Sequence, residues 1–188
     1  MIKKNFRILF DRLIQQGLKT TFLWAYARGW TILTGIPLLQ YSRVTPNLFV
    51  GSQIKQKGIS TLVKEGIDAV VNMRLEYDDQ KYLQLPGKYC YIPTVDDTPP
   101  SFEQLDAGVT FIKQVHEEGG KVYIHCGAGI GRAPTMAAAY LINLGYSYDE
   151  AISLIKKVRP FIFLKTSQVS QLLKYQDYIR SNRERKLA

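Results

Sequence analysis

The chain has 188 residues, a net charge of +9 and 46% hydrophobic content, enough for one domain with a core plus an appendage and too ordinary for disorder throughout. The positive balance favours an anionic partner, but basic and aromatic residues are not interleaved as single-strand binding requires, so nucleic acid is set aside. Two cysteines, Cys90 and Cys126, make no disulfide framework, which points to a reducing compartment, the cytoplasm.

Residues 1–43 form a basic, apolar segment of helical pattern. Phe6, Leu9, Phe10, Leu13 and Gly17 fall at helical spacing beside Lys3, Lys4, Arg7 and Arg12. Thr20 to Leu39 is largely apolar, with Trp24, Tyr26 and Trp30, but Arg28, Gly29, Gly35 and Pro37 interrupt it. A membrane span needs about 20 apolar residues, and an arginine near its centre costs about 3 kcal/mol. No small-residue cleavage site closes the stretch, so a secretory signal fits poorly. Three readings stay open: helices packed on the domain, which the pattern favours, attachment to a membrane surface, and a span.

The domain proper is expected over 44–180, with 181–188 as a basic tail. Asn47 to Gly51 reads as a short strand ending in a turn, and Ile54 to Gly66 as a helix stopped by its glycine. Ile67 to Met73 is a continuous apolar run of strand length, as in a sheet buried on both faces. Glu76 to Gly87 is polar. Tyr89 to Ile92 is another strand, ending in the stiff acidic loop Pro93 to Pro100. Ser101 with Gln104 makes a capping box for a helix whose stripe is Leu105, Val109, Ile112 and Val115. His116 on that helix reads as a solvated residue. A strand over Val122 to Ile124 precedes a helix from Arg132 to Leu144, stopped by Gly145. Ser147 and Glu150 open a further helix that ends before Pro160. The last helix (Val169, Leu172, Leu173, Gln176, Ile179) is expected to fray into Arg180–Lys186. Strands alternating with helices predict an α/β fold: a twisted central sheet of about four or five largely parallel strands, flanked by helices.

The chemistry concentrates in His125-Cys126-Gly127-Ala128-Gly129-Ile130-Gly131-Arg132. A thiol follows an apolar strand, three glycines follow within five residues, and an arginine opens a helix. Such a loop can turn backbone amides inward around an anion, and the helix dipole reinforces the cradle. Phosphate is the expected occupant, bound by Gly127, Ala128, Gly129, Ile130, Gly131 and Arg132. Cys126 would be the nucleophile beneath it, and Arg132 would grip two of its oxygens in a way lysine could not. His125 is expected to orient the loop by hydrogen bonds. A cysteine between glycines and beside an arginine is poor core material, whereas Cys90 on its strand is read as core. There is no metal-ligand cluster, and no cofactor is implied.

This loop, with the acidic loop upstream, resembles the cysteine-dependent protein tyrosine phosphatase superfamily, in particular the small dual-specificity phosphatases, over about residues 44–180. The resemblance implies a phosphocysteine intermediate and an aspartate that protonates the leaving oxygen, then activates water. In that family the acid lies about thirty residues before the cysteine, just after a strand. Asp96 and Asp97 both stand there, and Pro93-Thr94-Val95-Asp96 matches the family's spacing, which favours Asp96 with Asp97 as the alternative. Where the family places Ser or Thr directly after the arginine, to ease departure of the thiolate, this chain has Ala133. The expected function is phosphomonoester hydrolysis, foremost as a dual-specificity protein phosphatase acting on phosphorylated proteins.

A phospholipid or glucan phosphatase is the alternative. The Thr94-Val95-Asp96 loop and the Thr135–Ile142 helix are similar to mitochondrial-type phosphatidylglycerophosphate phosphatases, while the loop interior lacks the basic residues typical of polyphosphoinositide enzymes. Arg74 and Lys165 could edge the pocket. From other classes, a phosphate-binding adaptor of weak catalysis and a rhodanese-like sulfur carrier share the anion loop. The latter ordinarily has a shorter loop and needs no acidic partner.

Overall fold

The computed structural model describes the backbone of residues 2–187 and the side chains of residues 12–185. Four strands, β1 (Leu48–Gly51), β2 (Ala69–Arg74), β3 (Lys88–Thr94) and β4 (Val122–His125), form one sheet in the order β1-β4-β2-β3. Every pairing is parallel. The expected α/β architecture is therefore present, with four strands. Pro93 lies inside β3, an edge strand, where the ladder to β2 is irregular: Asn72 pairs with Tyr91 but Arg74 with Thr94, so β3 carries an extra residue at Ile92-Pro93.

Alternation along the strands sorts two cores. Leu48, Val50, Ala69, Val71, Met73, Val122 and Ile124 face one layer, while Phe49, Val70 and Tyr123 face the other. The second layer is covered by α2 (Gln56–Glu65) through Ile59 and Leu62. The first carries α3 (Phe102–Glu117), α4 (Arg132–Leu144), α5 (Tyr148–Val158) and α6 (Thr166–Leu187). Helix α4 is the central one, buried from Arg132 to Ile142, and Ala133, Ala137, Ala138 and Ala139 let the sheet and three helices approach it closely. Both capping boxes form: Ser101 with Gln104, and Ser147 with Glu150.

Two expectations need correction. His116 is not solvated: its Nε2 lies 3.0 Å from the Asn47 carbonyl and its Nδ1 2.7 Å from the Tyr140 hydroxyl. Since a carbonyl can only accept, Nε2 donates, and the neutral ring accepts at Nδ1. Burial lowers its pKa against the opposing pull of the Asn47 carbonyl, so this is a structural bridge between α3, α4 and the turn before β1. The tail does not fray, because α6 continues to Leu187, and Arg180 reaches Glu184 one turn on at 3.3 Å.

The N-terminal segment is helical from Ile2 to Thr34 (α1), broken at Gly17, whose φ of 77° and ψ of 170° are not helical. The side chains of Lys3, Lys4, Phe6, Arg7, Leu9 and Phe10, on which the amphipathic pattern partly rests, lie outside the described residues. Arg12 is buried. Its guanidinium stacks 4.4 Å from the Trp24 ring centre and donates to Gln16 and to the Phe161 carbonyl, while Gln16 donates to the Ile162 carbonyl. Thr31 meets Ser52 at 3.1 Å. Among the described residues, no helix is long and apolar enough to cross a membrane.

Candidate active site

Strand β4 delivers His125 and Cys126 to the C-terminal edge of the sheet, where parallel α/β folds place their ligands. Between Cys126 and α4, four successive carbonyls are held from outside the loop. The Gln53 amide donates to Gly127 O at 3.2 Å, and the Phe163 amide to Ile130 O at 2.7 Å. Arg159 donates from Nη2 to Ala128 O at 3.0 Å and from Nε to Gly129 O at 2.5 Å. In a trans peptide the N–H points opposite to the carbonyl, so these bonds turn the amides of Ala128 to Gly131 toward the loop interior. One of them is seen at work: Gly129 N–H donates to Cys126 Sγ at 3.3 Å.

Glycine is required at two positions. Gly129 has φ 67°, and a Cβ there would fall 2.3 Å from Gly51 O. A Cβ on Gly51 would fall 1.9 Å from the Tyr123 hydroxyl, which donates to the Ser52 carbonyl. Gly131 caps α4 without a side chain, so the first-turn amides stay open to an anion.

Arg132 is 2% exposed, yet it is not idle. Its Nη1 donates to Glu76 Oε2 at 2.8 Å, Thr94 O at 2.8 Å and Met73 O at 3.3 Å. Its Nη2 meets Glu76 Oε1 at 3.0 Å and Asp96 Oδ1 at 2.9 Å. Nε is buried and has no partner among the described residues, leaving a donor for an incoming oxygen. Burial works against the charge on Glu76, but hydrogen bonds from Arg132 and Arg74 outweigh it and hold the carboxyl at about 2. Burial likewise disfavours the charge on Arg132, and Glu76, together with Cys126 and Asp96, more than offsets it.

His125 and Asp79 are both fully buried, with Nε2 lying 2.5 Å from Asp79 Oδ2. Tyr123 stacks on the imidazole with ring centres 5.9 Å apart, and the ring's Nδ1 lies 3.4 Å from the Cys126 carbonyl.

The structure brings Asp96, not Asp97, against Arg132. The two aspartates occupy the centre of a turn closed by Thr98 N–H to Val95 O at 3.2 Å. Asp97 takes a left-handed φ of 62°, a conformation aspartate tolerates better than most residues, and its Oδ2 lies 3.8 Å from Lys165 Nζ. Gln104 holds this loop at Pro93 O, Gln168 at Thr98 O and Gln171 at Pro100 O. Gln168 is fully buried against Gly131 as well, so one side chain joins the acidic loop to the glycine loop.

Arg74 and Lys165 do edge the site, each paired with an acid there, Glu76 and Asp97. Cys90 is half-buried against the core, and burial pushes its thiol up to about 11, which disfavours the thiolate. Ala133 is buried and offers no hydroxyl. Sequence reasoning missed Glu76, Asp79, Arg159 and the three glutamines. Only Glu76 carried a signal: an acid just beyond the C-terminal end of a buried strand. Among the described residues, no group of three or more His, Cys, Asp or Glu could hold a metal ion.

The family model for the catalytic domain of dual specificity phosphatases matches residues 48–178. The chain is 32% identical over 149 residues to the human phosphatidylglycerophosphatase and protein-tyrosine phosphatase 1, covering 74% of each chain. It is 33% identical to a probable dual specificity protein phosphatase of Dictyostelium discoideum, over 76% of this chain and 36% of that one. Among solved structures, PTPMT1 superposes with a TM-score of 0.70 at 28% identity, over 77% of this chain and 98% of that one.

Proposed function

The chain belongs to the dual-specificity phosphatase family and is a cysteine-dependent phosphatase, and we propose that Cys126, Arg132 and Asp96 divide the chemistry between them. The Cys126 thiolate attacks phosphorus as the bond from phosphorus to the ester oxygen breaks. Asp96 acts as the general acid toward that oxygen. Water then attacks the phosphocysteine, Asp96 takes its proton, and the S–P bond breaks to release inorganic phosphate and the thiolate. Inward amides and Arg132 stabilise the charge gathering on the equatorial oxygens. Residues 44–180 act as the catalytic domain.

The contact of Asp96 Oδ1 with Arg132 Nη2 at 2.9 Å carries this assignment, because it puts that carboxyl, not its neighbour's, at the phosphate clamp. His125, Glu76, Arg159 and Gln168 are positioning residues that act through the loop. The substrate of the main reading is a phosphorylated protein. A phospholipid monoester is the second reading. It is favoured by the relative named as a phosphatidylglycerophosphatase and by the structural neighbour PTPMT1, solved in complex with PI(5)P.

Phosphate release from a phosphotyrosine peptide and from phosphatidylglycerophosphate vesicles separates the two. Cys126→Ser is expected to bind the preferred substrate and release nothing. Undiminished turnover by Cys126→Ser would overturn the mechanism.

A further inference from the structure

The second half of α1, residues 18–34, has two faces. One is docked: Thr21, Ala27 and Thr31 are buried, and Thr31 meets Ser52. The other carries Leu18, Phe22, Tyr26 and Leu33 at helical spacing. Leu18 is 79% exposed, Phe22 76% and Leu33 86%. A folded domain seldom presents such a row of large apolar groups to water without a partner. The charges of the region decide which partner. No acidic residue stands between Asp11 and Glu65, and Lys19, Arg28, Lys55 and Lys57 are all exposed. On the helical wheel Lys19 and Arg28 flank the apolar row on opposite sides, where long cationic side chains can reach phosphate groups while the row sinks between acyl chains.

We propose that this face docks on an anionic lipid bilayer, lying in its interface without crossing it. The placement of the helix matters to the chemistry. Ser52 follows β1 at the edge where Cys126 opens, and Gln53 beside it holds the Gly127 carbonyl. Behind the break at Gly17, Arg12 and Gln16 hold the carbonyls of Phe161 and Ile162, next to the Phe163 amide that pins Ile130. The docking face is thus fastened to the same two segments that brace the phosphate loop, at the active-site end of the sheet. A bilayer seated on it brings headgroup phosphates beside the pocket. The docking surface goes beyond the phospholipid-monoester reading, and rests on it only for what the pocket then meets.

The test is flotation of the full chain with vesicles of phosphatidylcholine alone and of phosphatidylcholine and phosphatidylglycerol in equal parts. Wild type should float with the anionic vesicles and far less with the neutral ones. Leu18→Glu with Phe22→Glu should weaken binding about a hundredfold, since each apolar group withdrawn is worth about tenfold. Lys19→Gln with Arg28→Gln should weaken it about tenfold and reduce its salt dependence. All variants should hydrolyse para-nitrophenyl phosphate at the wild-type rate with an unchanged melting temperature. Wild type that floats with neither vesicle, or glutamate variants that float as well as wild type, overturns the proposal. So does a wild-type dimer in light scattering that the glutamate pair converts to monomer, because the face then belongs to a second copy. Failure to float with aryl phosphate still turned over sinks the docking alone; absent turnover with intact flotation sinks the catalytic reading alone.

Discussion

Glu76→Gln isolates the residue that, on the proposed mechanism, aims the phosphate clamp. The carboxylate accepts from both terminal nitrogens of Arg132, at 2.8 and 3.0 Å, while Nη1 is also held by the carbonyls of Met73 and Thr94. Glutamine keeps one acceptor, loses the charge and turns an NH2 toward a guanidinium that cannot accept from it. A buried charge-assisted hydrogen bond contributes about 1.5–3 kcal/mol; with the Glu76 side chain 45% exposed, about 1–2 kcal/mol is the discounted figure. That is about a 5–30-fold fall in kcat/KM for an aryl phosphate, with the fold retained on the two carbonyl contacts. In combination with Arg132→Lys the loss should be much less than additive, because both act on one contact. The pH dependence follows from the carboxyl being held at about 2, below its ordinary 4.5. A depressed acid stabilises the fold above its unfolded value and loses that contribution only as pH falls from about 4.5 toward about 2. Above about pH 5, therefore, variant and wild type should give profiles of one shape and different height. A kcat/KM within twofold of wild type, or a profile that changes shape above about pH 5, would refute the reasoning.

The same geometry makes further claims. With no hydroxyl at Ala133, wild type should show a burst of product from an aryl phosphate followed by slower turnover, and Ala133→Ser should shrink the burst and raise the steady rate; traces without a burst remove the claim. Asp96→Asn should slow hydrolysis of alkyl phosphates by about 10²–10⁴-fold, while Asp97→Gly, which relieves a left-handed φ, should leave them within about threefold; the reverse ranking would move the acid to Asp97. Gly51→Ala forces a methyl into the Tyr123 hydroxyl and should cost about 1–3 kcal/mol, visible as a fall of several degrees in Tm. An unshifted Tm would mean that Tyr123 can move aside freely.

What could be read from the chain was what the chain expresses locally. Both capping boxes join residues three apart, and the run around Val70 to Met73 announces a sheet covered on both sides. The glycine loop carries its anion chemistry within eight residues. The braces of that loop have no such signature. Arg159 reaches Gly129 across 30 positions, Gln168 reaches Thr98 across 70, and Glu76 reaches Arg132 across 56. Each is an ordinary polar residue until the fold closes the distance. His116 misled for the same reason: its own helix gives it a polar face, and only Tyr140 and Asn47, brought in by other elements, make that face a seam. The tail misled in the opposite sense, since a run of charges without Gly or Pro has nothing to end a helix.

The way the phosphate loop is held has a bearing on how this enzyme could change. Its shape depends on main-chain carbonyls gripped by Gln53, Arg159 and Phe163, and hardly at all on the side chains of Ala128 and Ile130, which stand half-exposed at the rim. Those two positions are therefore free variables. Selection, or an engineer, can place a lysine, a serine or a bulky group there and retune which phosphorylated surface is accepted, while the thiol and its ring of amides stay as they are. Recognition and catalysis are carried by separable parts of the same six-residue turn, so a family built on it can diversify its substrates one side chain at a time.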